Sequence, residues 1–215
     1  MTAQTMEEMR ADNIRAMGGE LGAAFSSLEQ NVIELHVVWK QYRELFCNDA
    51  DVVALLNRTA GLLFKVVQDE LWDSVLLGIL RLTDKAGTAG RSNLTFKTLE
   101  TIICEPELKE SVVKLVEVAR EKSNVARVHR DRRIAHLDYY YGMDRNSVLL
   151  NDINLHMVEE MLAAIRAVMH CLEAHFHKSQ TIYERFVDTT GARQLVAKLI
   201  RYESFEKARA NILED

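Results

Sequence analysis

The sequence predicts an all-α protein, a helical bundle of about four main helices with short extra helices. Three observations carry that expectation. A single proline, Pro106, and nine glycines in 215 residues leave little material for the tight turns that sheets require. Apolar residues recur at alternating steps of three and four over long stretches, the period of a helix face. Hydrophobic residues at 48% and charged residues at 27% supply a sizeable core and exclude a disordered chain.

After a polar lead, Leu21, Phe25, Leu28, Val32, Leu35, Trp39, Tyr42 and Phe46 form one slowly drifting stripe, which marks a first long helix. "CNDADVV" then offers Asp49 or Asp51 as an N-cap. A second long helix runs to about Arg81, with Leu55, Phe64, Val67, Leu71 and Leu80 on its apolar face. "TDKAGTAGRSN" is a loop whose glycines lack the GxxxxGK[ST] pattern and any preceding strand, so it is not a phosphate loop. A short helix is expected over "LTFKTLETII". Pro106 suits the first turn of a helix that reads "PELKESVVKLVEVAREKSNVARVH" without interruption. Beyond a polar loop at "GMDRNSVLLND", Leu155, Val158, Leu162, Ile165, Met169, Leu172 and Phe176 line another helix. A shorter one around 190 to 203 closes the chain. The bundle is expected over residues 1–185, with residues 186–215 a C-terminal helical extension of the same domain.

The net charge of −5 argues against a surface that binds polyanions everywhere and permits a local basic patch. The opening stretch carries charges throughout and lacks the apolar core of a signal peptide. "SVLLGIL" is far too short to cross a bilayer. Cys47, Cys104 and Cys171 are scattered, as expected for reduced thiols in a cytoplasmic protein. No membrane association and no cofactor is expected.

One segment stands apart. "VARVHRDRRIAHLDYYYG", residues 125–142, places Arg127, His129, Arg130, Arg132, Arg133 and His136 within twelve positions and follows them with Tyr139, Tyr140 and Tyr141. Basic residues in the last turns of a helix are stabilised by its negative end, by roughly 0.3–1 kcal/mol each, and this needs no ligand. On an ideal helix, residues six apart diverge by about 120° around the axis, so Arg130 and His136 share a face only if the helix ends or bends between them. His129, Arg132 and His136 would otherwise group together. His136 lies between Ala135 and Leu137, where a core-edge histidine bonded to a carbonyl is an equally ready explanation.

"HRDRRIAHLD" resembles the signature of the HEPN superfamily (higher eukaryotes and prokaryotes nucleotide-binding domains). That signature is an arginine, then a polar residue, with four to six residues in all before a histidine. Arg130, Asp131 and His136 match it with a five-residue spacer, whereas Arg132 and Arg133 are too close to His136 and Arg127 too far. Ala135-His136 with Asp138, together with "ELWDSVLLGILRLTD", look like the abortive-infection AbiU-type branch. The resemblance implies metal-independent RNA cleavage across a homodimer, in phage defence or a toxin–antitoxin pair, with a possible antitoxin protein partner. Some members have lost activity and serve as binding modules. In certain HEPN toxins a tyrosine two residues after the histidine is modified by a partner enzyme; Asp138 stands at that place here.

Such a reaction assigns catalytic roles to Arg130, Asp131 and His136. RNA supplies the 2′-OH nucleophile, His136 moves protons and Arg130 stabilises phosphate charge. Arg132, Arg133 and His129 are candidates for flanking RNA contacts, and Tyr139 and Tyr140 for base stacking. The tyrosines are equally at home in a core or an interface. Elsewhere, Cys171, His175 and His177 have helical metal-ligand spacing without further ligands, so no metal site is expected. Arg81 and Asp84 are expected to form a local ion pair at a helix end. The rival readings are a non-catalytic helical dimer that binds a nucleotide or partner, and a purely structural interaction module.

Overall fold

The computed structural model describes residues 5–47, 49–88, 91–131, 153–185 and 190–214. The described residues form eight helices and one two-residue antiparallel pair. In chain order the helices are α1 (Met6–Met17), α2 (Gly19–Phe46), α3 (Ala50–Thr83), α4 (Phe96–Ile102), α5 (Pro106–Lys122), α6 (Asn124–His129), α7 (Leu155–Phe176) and α8 (Ala192–Glu214). The all-helical architecture follows the sequence. The paired residues, Gly87 with Ser92 and Thr88 with Arg91, amount to a hairpin inside the loop after α3.

Three boundaries differ from the sequence reading. The polar lead is in fact helix α1, which buries only Asn13 and Met17 and so shows no apolar stripe. It opens on a reciprocal cap, in which the Glu8 amide donates to Thr5 Oγ1 at 3.3 Å and the Thr5 amide donates to Glu8 Oε2 at 2.7 Å. It closes at Gly18, whose φ of 88° suits glycine, with the Gly18 amide bonded to the Ile14 carbonyl. Second, the helix from Pro106 is interrupted. Ser123 is fully buried and its hydroxyl donates to the Ala119 carbonyl at 2.7 Å, separating α5 from α6. Third, the last helix continues to Glu214.

Other expectations hold in detail. Asp49 caps α3, its side chain accepting from the Asp51 amide at 2.8 Å. Pro106 occupies the first turn of α5. A cap that the sequence reading did not single out is Asn154, which accepts from the Met157 amide at 3.0 Å at the start of α7.

The chain divides into two compact units. One comprises Met1–Leu35 and Leu76–Tyr183, the other His36–Val75 and Glu184–Asp215. In the first, α5 packs along α7, and Val112, Val116 and Ala119 share a fully buried core with Val158, Leu162, Ile165, Met169 and Leu172. Full burial of the valine, leucine, isoleucine and methionine side chains stabilises by roughly 1.5–3 kcal/mol each before the entropy cost of ordering them. At Gly22 a Cβ would lie 2.5 Å from the Asn13 carbonyl oxygen and 2.5 Å from the Ile14 Cα, so α1 and α2 meet backbone to backbone there. The second unit buries Leu45, Leu56, Phe64, Ala192 and Val196 together. Trp39, Tyr42, Phe46 and Trp72 form an aromatic group within it, and the Ala192 amide donates to Gln41 Oε1 at 2.6 Å. Among the described residues no helix is long and apolar enough to cross a membrane.

Candidate functional site

The basic segment begins in α6, where the three-residue step of the helix separates two faces. Ala126 and His129 point into the core, His129 being 8% exposed. Arg127 and Arg130 lie on the other face and reach the end of α3. Arg127 Nε donates to Asp84 Oδ1 at 2.8 Å, and Arg130 Nη1 donates to Asp84 Oδ2. Arg130 Nε also donates to Asp131 Oδ1 at 2.8 Å. A helix end leaves its last carbonyls without intrahelical donors. Arg127 Nη2 reaches that of Thr83 at 3.4 Å.

Two guanidiniums and two carboxylates thus alternate at one place. Burial works against the Arg130 charge, but the hydrogen bonds it donates to Asp131 and Asp84 outweigh it and hold its pKa above the ordinary arginine value. Both arginine side chains are 24% exposed, so the ion pairs contribute on the order of 1 kcal/mol. Their larger effect is orientation, because two acceptors fix the guanidinium plane of Arg130. At Arg130 and Asp131 the backbone widens into a π turn, a feature frequent at functional sites.

Arg130 and Asp84 border a cleft of about 470 Å³. Its lining also includes the polar residues Arg81, Asn31, Ser92, Asn93 and Thr95 and the apolar Leu77, Leu80 and Leu94. The expected Arg81–Asp84 pair does not form, since both oxygens of Asp84 are taken by α6. Of the residues the sequence singled out, Arg130 and Asp131 come together, and His129 lies behind them in the core. His136, Arg132, Arg133, Tyr139 and Tyr140 lie outside the described residues.

Sequence reasoning paired Asp84 with Arg81 instead of with Arg127 and Arg130, and set Arg127 aside on spacing. The available signal was general: clustered cations in an acidic chain call for a carboxylate partner. The histidines near Cys171 face other residues. His175 Nε2 is 2.9 Å from Glu105 Oε2, and His177 Nε2 is 2.8 Å from Asn13 Oδ1. Among the described residues no group of three or more His, Cys, Asp and Glu is placed to hold a metal ion.

A second polar cluster is closed to solvent. Asn13, Glu29, Glu173 and Tyr183 are all under 9% exposed. The Asn13 amide donates to Glu29 Oε2 at 3.1 Å, and Tyr183 hydroxyl donates to Glu173 Oε1 at 2.6 Å. The Thr181 amide completes the Glu173 carboxylate at 2.9 Å. Burial raises the Glu29 pKa, opposed by the Asn13 hydrogen bond and assisted by the charge of Glu173. Burial, then the Glu173 contact, pushes the Tyr183 hydroxyl well above its usual range.

No curated protein and no solved structure matches this chain. A family model does: HEPN_AbiU2, described as AbiU2, matches residues 19–190. That span begins with α2 and takes in α3 to α7, and with them Asp84, Arg127, Arg130 and the whole segment from 125 to 142. By this match over most of its length, the chain belongs to the HEPN AbiU2 family.

Proposed function

We propose that the protein is a metal-independent endoribonuclease that uses Arg130, Asp131 and His136 from two copies of the chain, acting in the cytoplasm in phage defence or as the toxin of a toxin–antitoxin pair. The observation that carries this reading is the placement of Arg130, oriented by Asp84 and Asp131 at the edge of an open cleft. Nη2 of Arg130 has no partner among the described residues, which leaves it for a phosphate oxygen.

In the proposed reaction the 2′-oxygen of RNA forms a bond to the adjacent phosphorus while the bond from phosphorus to the 5′-oxygen breaks. A His136 imidazole takes the 2′-hydroxyl proton, and the partner copy's imidazole protonates the departing 5′-oxygen. Arg130 stabilises the charge that builds on the non-bridging oxygens. Arg132 and Arg133 hold flanking phosphates, Tyr139 and Tyr140 stack on bases, and buried His129 acts only by supporting its neighbours.

A second reading, a non-catalytic nucleotide- or partner-binding dimer or a structural module, is favoured by one fact. Two of the three Arg130 nitrogens are already engaged by carboxylates of the same chain. The two readings separate cleanly. Purified protein incubated with mixed single-stranded RNAs in EDTA should leave 2′,3′-cyclic phosphate ends, and His136→Ala should slow cleavage by roughly 10²–10⁴-fold. Equal cleavage by folded wild type and His136→Ala removes the nuclease assignment.

A further inference from the structure

The cleft extends along α3 to residues that the proposed reaction does not use. Arg81, three positions before Asp84, is exposed and borders it, and no carboxylate among the described residues pairs with its guanidinium. Asn31 of α2 and Asn93 of the hairpin segment line the same cleft. Asn31 spends its amide nitrogen on the Ser27 carbonyl at 2.7 Å, which leaves its oxygen as an acceptor. The Asn93 side chain makes no hydrogen bond among the described residues, so its amide can both donate and accept. Leu94, 43% exposed, adds an apolar surface to the lining.

We infer that this end of the cleft is a subsite for one nucleotide of single-stranded RNA beside the cut, with Arg81 on its phosphate, Leu94 under its base, and Asn31 and Asn93 at its polar edges. The inference rests on the RNA-cleaving reading above. The cleft volume of about 470 Å³ lies within the roughly 300–1,000 Å³ of sites that enclose small molecules. Arg81 and Arg130 against Asp84 make the lining locally positive in a chain of net charge −5, so a polyanion meets attraction here while the whole surface repels it. Guanidiniums match phosphate oxygens in pairs, and side-chain amides match base edges.

The test uses a fluorescent 2′-O-methyl RNA, which lacks the attacking hydroxyl and so reports binding alone. The full-length protein is titrated over a salt series, with RNA cleavage measured in parallel. Arg81→Ala should weaken binding about tenfold at low salt. It should also reduce the slope of log affinity against log salt by about 0.7, the value for one phosphate on a single strand. Arg81→Lys should restore the slope but only part of the affinity, because it keeps the charge and loses the fork. Lys114→Ala removes a cation paired within α5 and should change neither. Arg81→Ala indistinguishable from Lys114→Ala overturns the subsite, and wild-type cleavage in that case leaves the nuclease reading standing. Binding that depends on Arg81 without any cleavage keeps the subsite and removes the nuclease reading. A wild type that neither binds nor cleaves overturns both.

Discussion

Two of the carboxylate clusters among the described residues of one compact unit are made from opposite materials. Around Glu29 and Glu173 the donors are neutral: an amide side chain, a phenol and a backbone N–H. Around Asp84 and Asp131 they are guanidiniums. Solvent access explains the choice. A buried carboxylate is penalised for its charge, so a site closed to water favours neutral donors and raises the Glu29 pKa. Where water reaches, both signs of charge are retained. The buried cluster joins α1, α2, α7 and the segment after it, whereas the open one faces a cleft. Polar density alone therefore does not distinguish the two clusters, and the charge and exposure of their donors do.

The largest expected effect breaks the open cluster. Arg130→Ala should lower RNA cleavage by about 10²–10³-fold, the loss typical of removing one group that stabilises transition-state charge. Its unfolding free energy should change by about 1 kcal/mol or less, as for other partly exposed ion pairs. Tyr183→Phe should do the reverse. Removing the hydroxyl leaves one Glu173 oxygen short of a donor, costing about 1–3 kcal/mol in urea unfolding, with cleavage unchanged. An Arg130→Ala protein that unfolds, beside a Tyr183→Phe protein that fails to cleave, would invert the comparison.

The smallest effect sharpens it. The folded state holds the Glu29 proton more tightly than the unfolded chain. Stability from this group is therefore complete below the ordinary carboxylate value of 4.5 and is lost as pH rises through the higher folded value. Glu29→Gln should flatten that fall in a series of melts from pH 4 upward. A curve identical to wild type would show that Glu29 does not titrate differently on folding.

Much of the fold was legible because its helices bury continuous stripes: Leu21 to Tyr42 in α2 and Val158 to Leu172 in α7 read directly from the chain. The rest lacked that signal. Helix α1 turns a polar residue, Asn13, into the core, and the outer turns of α8 expose Tyr202, Phe205 and Ile212. The break at Ser123 involves neither glycine nor proline, and depends on a buried hydroxyl finding the Ala119 carbonyl. The site divides in the same way. Arg130 and Asp131 are neighbours in sequence, so their association was readable from a short motif. Asp84 is 46 positions from Arg130, and its choice over other acids depends on where α3 ends relative to α6. Arg127, which fails the motif's spacing, shares that carboxylate for the same reason.

The backbone contact at Gly22 sets a limit on how this chain can diverge. Every single-base change that replaces a glycine codon's amino acid introduces a side chain, and even a methyl group would occupy the space of the Asn13 carbonyl oxygen and the Ile14 Cα. No flexible side-chain tip lies in the way to yield. A lineage that loses this glycine must move α1 off α2, and Asn13, the residue that links Glu29 to His177, moves with it. Tolerance of substitution at position 22 thus measures whether a relative has kept the first helix docked, and it can be read from aligned sequences without a structure.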